Sequence, residues 1–169
     1  DQHRSGKPGK PMDGIVFRVY LRLSAVALFF FAGSAGAAAP VVPPDIPTPY
    51  IPSTTIAVDE MLRLADVGPG DLVADLGSGD GRVVIAAARD YGARGLGIEI
   101  DSNLVAESQS NAVKAGVAER VAFRQGDVLK ADFRDATVVT LYLLPALVER
   151  VKPRLLAEMK PGTRIVAHD

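Results

Sequence analysis

The residues best placed to do chemistry are in Asp75-Leu76-Gly77-Ser78-Gly79-Asp80-Gly81, where three glycines alternate with other residues directly after a short apolar run. Glycine adopts positive φ without penalty and adds no Cβ, so such a loop can lie against a ligand. Its N–H groups, with those opening the following helix, are expected to point at whatever sits above the strand end. A glycine-rich strand-to-helix connection also serves as a plain turn. The second acidic position tips the reading toward a nucleotide-type cofactor. Glu99 ends the next apolar run, 99 − 79 = 20 residues beyond Gly79, the offset of about 20 at which doubly wound folds hold ribose hydroxyls.

The charges narrow the ligand. The spacing is Gly77-x-Gly79-x-Gly81, and Arg82 stands where a dinucleotide fingerprint needs its last glycine. Asp75 and Asp80 put two carboxylates beside the loop; these would repel a diphosphate and suit a ligand carrying positive charge. S-adenosylmethionine, with a sulfonium, an ammonium, one carboxylate and no phosphate, fits that electrostatics.

The run from Asp75 to Gly81, with Glu99 and Asp127 closing two further strands, resembles the class I S-adenosylmethionine-dependent methyltransferases. The longer stretch from Tyr50-Ile51-Pro52 to Pro161-Gly162-Thr163-Arg164-Ile165-Val166 is similar to small bacterial relatives of the mitochondrial ATP synthase c-subunit lysine methyltransferase, over about Tyr50 to Asp169. The resemblance implies that Gly77 and Gly79 run under the methionine part of the cofactor, with Ser78 and Gly81 completing the loop. It implies that Asp75 holds the amino group, Glu99 both ribose hydroxyls, Ile100 the adenine face and Asp127 the adenine amino group, with Val128 beside it. It also implies methyl transfer to a protein amine, a lysine, and hence a protein partner.

Two departures from the family pattern matter. An Asn or Asp-Pro-Pro-aromatic segment follows strand four in many amino-directed members, whereas this chain has Leu141-Tyr142-Leu143-Leu144-Pro145, which speaks against a nucleobase or glutamine amide as acceptor. Tyr142 and His168 are the candidates for orienting or deprotonating the acceptor; a rim aromatic and a strand-end histidine are the alternatives. The family sheet has seven strands, and this sequence supplies five, so the edge of strand five is expected to be unpaired, as in a truncated chain. A cofactor-binding module without turnover is the competing function, and a polyamine synthase of similar fold is a third.

The elements that must position these residues alternate. A helix capped by Ser53, Thr54 or Thr55, with Asp59 and Glu60 in its first turns, presents Val58, Met61, Leu62 and Ala65 as its apolar face. After it come a strand at Leu72, a helix from Arg82 to Tyr91 stopped by Gly92, a strand over Gly95 to Ile100 and a helix ending at Gly116. Then follow strands at Val121 to Gln125, Ala136 to Leu143 and Thr163 to Ala167, with a helix from Pro145 that Pro153 is expected to break or kink. This predicts an α/β fold, a Rossmann-like doubly wound parallel sheet covered on both faces, whose crevice beyond the strand ends collects Asp75, Glu99, Asp127, Tyr142 and His168; the strand order 3-2-1-4-5 is what the family resemblance implies.

The front of the chain is different. Arg18 and Arg22 precede the apolar run Leu23 to Ala32, and Ala35-Gly36-Ala37 offers a cleavage pattern. Residues 1–37 are therefore expected to comprise upstream residues and a signal peptide, or an uncleaved anchor if Leu23 to Ala39 spans the bilayer. Membrane contact is expected only through that segment. Either membrane reading exports the rest to the periplasm or membrane surface; without a real signal the protein is cytoplasmic. Residues 38–52 are a proline-rich linker ending in Tyr50-Ile51-Pro52, which suits a lid or a staple on the next helix. Residues 53–169 form the methyltransferase-like domain. From Pro40 onward 14 Lys and Arg face 18 Asp and Glu with no basic run, which does not favour nucleic acid as a bulk electrostatic partner. There is no cysteine and only His3 and His168, so neither thiolate nor multi-histidine metal chemistry is expected.

Overall fold

The computed structural model describes residues 16–20 and 53–168. Its elements in chain order are β1 (Val16–Tyr20), α1 (Thr55–Leu64), β2 (Leu72–Leu76), α2 (Arg82–Tyr91), β3 (Arg94–Glu99), α3 (Ser102–Lys114), β4 (Val121–Gln125), β5 (Val138–Leu141), α4 (Pro145–Glu158) and β6 (Arg164–His168). They build one sheet of order β1-β6-β5-β2-β3-β4, parallel at every pairing. Without β1, the other five strands taken in chain order lie 3-2-1-4-5, as the family resemblance implies.

Each central strand is apolar on both faces because helices cover both. Val73, Val138 and Val166 meet α1 and α2 through Val58, Met61, Leu62, Val84 and Ala87. Their sequence neighbours Ala74, Val139 and Ile165 turn the opposite way, toward Val151 and Leu155 of α4 and Met159 at its C-terminal cap. This period-two split is what makes a buried parallel strand read as a continuous apolar run.

Local chemistry sets the boundaries. Thr54 caps α1, its hydroxyl accepting the Ala57 N–H at 3.2 Å. Asp59 and Glu60 fall in the second turn, where Asp59 accepts the Tyr91 hydroxyl at 2.8 Å and Glu60 pairs with Arg63. Gly92, at φ 69°, ends α2 in the left-handed conformation.

Three expectations are corrected. The fourth expected strand is shorter than its apolar run: pairing with β2 covers Val138 to Leu141, and Tyr142 to Leu144 leave the sheet to enter α4 at Pro145. Pro153 does not divide α4, which is one helix over Pro145–Glu158; the carbonyl deprived of its donor belongs to Glu149, an exposed residue where water can replace it. The edge of β6 is not unpaired, since Val16–Tyr20 lies parallel against it in the register Val16 to Arg164 through Tyr20 to His168. The β-branched and aromatic composition of Val16-Phe17-Arg18-Val19-Tyr20 suits a strand, and an open edge offers it a full row of backbone partners. The apolar run from Leu23, the cleavage pattern, the proline-rich linker and Tyr50-Ile51-Pro52 lie outside the described residues. Among the described residues no helix is long and apolar enough to cross a membrane, and no cluster of acidic or histidine side chains could hold a metal ion.

Candidate functional site

β2, β3 and β4 end side by side, so Asp75, Glu99 and the turn holding Asp127 open onto one crevice, with the glycine loop between β2 and α2 as its floor. Gly77, Gly79 and Gly81 all have positive φ, at 81°, 52° and 82°.

The loop amides differ from the expectation that they point at a ligand. The Gly77 and Ser78 N–H groups both donate to the Ile98 carbonyl, at 2.9 and 3.0 Å, and the Gly81 N–H donates to the Ser78 carbonyl at 2.9 Å. The Gly79 N–H donates to Glu99 Oε2 at 2.9 Å. These four donors hold the loop to β3 and to itself, so an oxyanion would find carboxylates here and none of these N–H groups available. A phosphate-free ligand suits such a loop.

Glu99 is almost fully buried, at 8% exposure. Its Oε1 accepts the Ile100 and Asp101 N–H groups at 2.8 and 3.0 Å, in addition to the Gly79 bond on Oε2. A carboxylate has about four lone-pair sites. Three are filled, and the remaining one, on Oε2, is a single further acceptor position rather than the two that a pair of ribose hydroxyls requires. Gaining the second means sharing or releasing the Gly79 bond.

Asp75 is 4% exposed, and its Oδ1 accepts the Thr140 hydroxyl at 2.7 Å. Burial pushes its carboxyl up to about 7; the Thr140 hydrogen bond pulls it down, and the nearby charges of Glu99 and Asp80 push it up again. Asp80, the second carboxylate of the sequence argument, is taken. The Arg82 guanidinium grips it with Nε at 2.9 Å from Oδ1 and Nη2 at 2.6 Å from Oδ2, and Nη1 reaches the Ser53 carbonyl. The cation-seeking charge at the loop is therefore Asp75.

The other expected site residues divide. Ile100 is 69% exposed beside Glu99 and offers an apolar surface at the crevice. Asp127 accepts the Leu129 N–H on Oδ1 at 2.8 Å and keeps Oδ2 beside Lys130 Nζ at 3.9 Å. Val128 is 7% exposed and belongs to the core with Phe133 and Leu155 rather than to an open wall. Ser78 is buried, and its Oγ has no hydrogen-bond partner. Gly81 serves packing: a Cβ there would lie 2.6 Å from the Phe123 ring and 2.8 Å from Ser108 Cβ. Tyr142 and His168, at the ends of β5 and β6, meet edge to face with centroids 4.7 Å apart, and His168 Nδ1 is buried without a partner.

Two contributors are missed by sequence reasoning. Gly97 admits the loop, since a Cβ on it would stand 2.6 Å from Ser78 Oγ and 2.5 Å from the Phe123 ring; the small residue inside an apolar strand was the available signal. Thr140 is indistinguishable in sequence from any β-branched strand residue.

The ANTKMT methyltransferase domain model matches residues 75–169, more than half of the chain, from the acid of the glycine loop onward. The chain belongs to that family. A protein-lysine N-methyltransferase of Saccharolobus islandicus is 42% identical over 72% of this chain and 76% of its own length. The adenine nucleotide translocase lysine N-methyltransferase of Mus musculus is 33% identical over 75% of this chain, which spans 55% of that protein. Among solved structures, an RNA methyltransferase from Salinibacter ruber in complex with S-adenosyl-L-homocysteine is 54% identical, with a TM-score of 0.69 over 70% of this chain and 79% of that one. A methyltransferase from Geobacter sulfurreducens, also in complex with S-adenosyl-L-homocysteine, shares the fold at a TM-score of 0.57 and 28% identity. The glycine loop and the crevice it floors thus lie within the matched ANTKMT methyltransferase domain.

Proposed function

We propose that this protein binds S-adenosylmethionine and transfers its methyl group to the side-chain amine of a protein lysine. The observation that carries the cofactor half is the loop whose amides are consumed by β3 and by the loop itself while a buried carboxylate, Asp75, stays available beside it. That combination accepts an ammonium-bearing, phosphate-free adenosine compound and disfavours a dinucleotide. The residues fit the cofactor: Asp75 takes the ammonium, the spare Oε2 position of Glu99 takes a ribose hydroxyl, Ile100 covers the adenine and Asp127 Oδ2 takes its amino group. When bound, the cofactor supplies the electrophilic methyl group. The chain's own task is to hold an acceptor nitrogen in line and keep it unprotonated. Tyr142 and His168 stand at the adjacent strand ends where an acceptor would approach.

A lysine acceptor is supported by the Saccharolobus islandicus and Mus musculus relatives, which are named as lysine N-methyltransferases. An RNA acceptor is the second reading, raised by the Salinibacter ruber structure. The excess of acidic over basic residues from Pro40 onward and the absence of a basic run favour protein. Export on the apolar run after Arg22 would separate Val16–Tyr20 from β6; a reporter fused at the C-terminus tests in which compartment the domain resides. Calorimetric titration with S-adenosylhomocysteine and with NAD tests the cofactor: binding of the first and not the second is expected, and the reverse overturns the reading.

A further inference from the structure

We infer that Thr140 is a positioning residue that fixes Asp75 and presents its second oxygen to the ammonium group of the cofactor. This rests on the cofactor reading above and names the group outside the glycine loop on which that reading depends.

Asp75 and Thr140 are direct partners in the β2–β5 ladder, and the two side chains meet on the face shared with Val73 and Val138. Thr140 is fully buried, at 0% exposure. Its hydroxyl has one proton to give. Asp75 Oδ1 lies at 2.7 Å and the Ala74 carbonyl at 3.5 Å, so the proton goes to the carboxylate, at the length of a charge-assisted bond. Threonine is β-branched and has few χ1 choices, which makes it a stiff support for a carboxylate that must point one way. Among the described residues no protein donor reaches Asp75 Oδ2, and that atom is not among the sealed, unpartnered polar atoms. It is the oxygen left to face a ligand.

The charged groups around Asp75 explain why the support matters. Glu99 on β3 and Asp80 in the loop both raise its carboxyl, and Arg82 is committed to Asp80. The Thr140 hydroxyl is the one neighbour that favours the ionised form, the form an ammonium needs. Nothing about the fold requires a hydroxyl there: valine would fill the same space and prefers strands at least as strongly.

The test compares two ligands on Thr140→Val, Thr140→Ser and the unmodified chain by calorimetry between about pH 6 and 8. S-adenosylhomocysteine carries the ammonium, and methylthioadenosine lacks the whole amino-acid part. Thr140→Val should weaken S-adenosylhomocysteine about tenfold near neutral pH and move the acid limb of its binding profile to higher pH, while leaving methylthioadenosine within about twofold. Thr140→Ser should restore both affinity and profile. Should the valine variant fold poorly, Thr140→Cys, a weaker donor of similar size, repeats the comparison. Equal losses for both ligands, or an unmoved pH profile in a variant that still binds methylthioadenosine, overturn the role of Thr140 alone. Failure of the unmodified chain to bind either ligand overturns the cofactor reading itself.

Discussion

The Gly79 N–H donates to Glu99 Oε2 at 2.9 Å across 20 residues of sequence, fastening the middle of the glycine loop to the end of the neighbouring strand. One carboxylate thereby both shapes the loop and offers the remaining lone pair to a ligand. Glu99→Ala leaves the Gly79, Ile100 and Asp101 amides without their acceptor in a nearly buried site. Urea denaturation should show a loss of about 2–3 kcal/mol, and cofactor affinity should fall with it. Glu99→Gln keeps one acceptor oxygen and turns an NH2 group toward an N–H, so it should recover only part of either loss.

The carboxyl of Asp75 makes the free protein's stability depend on pH in an unusual direction. Its folded value, about 7, lies above the ordinary carboxylate value of 3.8. Between those two pH values the folded state holds a proton that the unfolded state has released. This contribution is therefore fully present below about pH 4 and is lost as pH rises through about 7. Asp75→Asn should flatten that part of the stability profile and make the free protein more stable than the unmodified chain near pH 8, as followed by thermal melts. The same variant should lose cofactor affinity.

Ligand binding should report on the same group. An ammonium beside Asp75 favours its ionised form, so binding near neutral pH expels a proton. Calorimetry in buffers of different ionisation enthalpy should detect proton release on binding S-adenosylhomocysteine, and none with Asp75→Asn.

Gly81 separates packing from binding. Alanine at φ 82° is strained and its Cβ meets the Phe123 ring, so Gly81→Ala should cost about 2–3 kcal/mol in urea. Adding Phe123→Leu relieves the ring contact but neither the 2.8 Å approach to Ser108 Cβ nor the backbone, and the double variant should regain only part of the loss.

At the opposite pole of the sheet, Arg164 is ion-paired with Asp71 and its Nη1 donates to the Ala65 and Asp66 carbonyls at 2.7 and 2.8 Å. Hydrogen bonds from Thr137, Gly68 and Arg164 outweigh burial and hold the Asp71 carboxyl below its ordinary value. Arg164→Leu should lower stability by about 3 kcal/mol and leave the cofactor affinity of the folded protein nearly unchanged, because these contacts are remote from the strand ends that form the crevice.

Much of this was legible in sequence wherever a local rule governs. Gly92 stops α2 because only a residue at ease with positive φ suits that position, and a parallel sheet covered on both faces follows from alternating elements joined by right-handed crossovers, whereas its order came from the family resemblance. What depends on register was not legible. That Thr140 faces Asp75, and not Val139, is decided by how β5 pairs with β2. That the loop amides turn to Ile98 and Glu99, leaving none of the four for a ligand, is decided by how closely β3 approaches, which Gly97 permits. Asp80 looked like a cofactor carboxylate because its neutralisation by Arg82 is a matter of side-chain geometry. The pairing of Val16–Tyr20 with β6 spans most of the chain, and no local pattern announces a contact of that range.

The decisive measurement is the fate of a labelled methyl group. Incubating the protein with S-adenosylmethionine labelled on its methyl carbon and with separated protein and RNA fractions of a cell extract, followed by mass spectrometry of the products, should place the label on lysine side chains in the protein fraction. Label confined to RNA, or absent from both fractions while the cofactor is demonstrably bound, would contradict a protein-lysine methyltransferase.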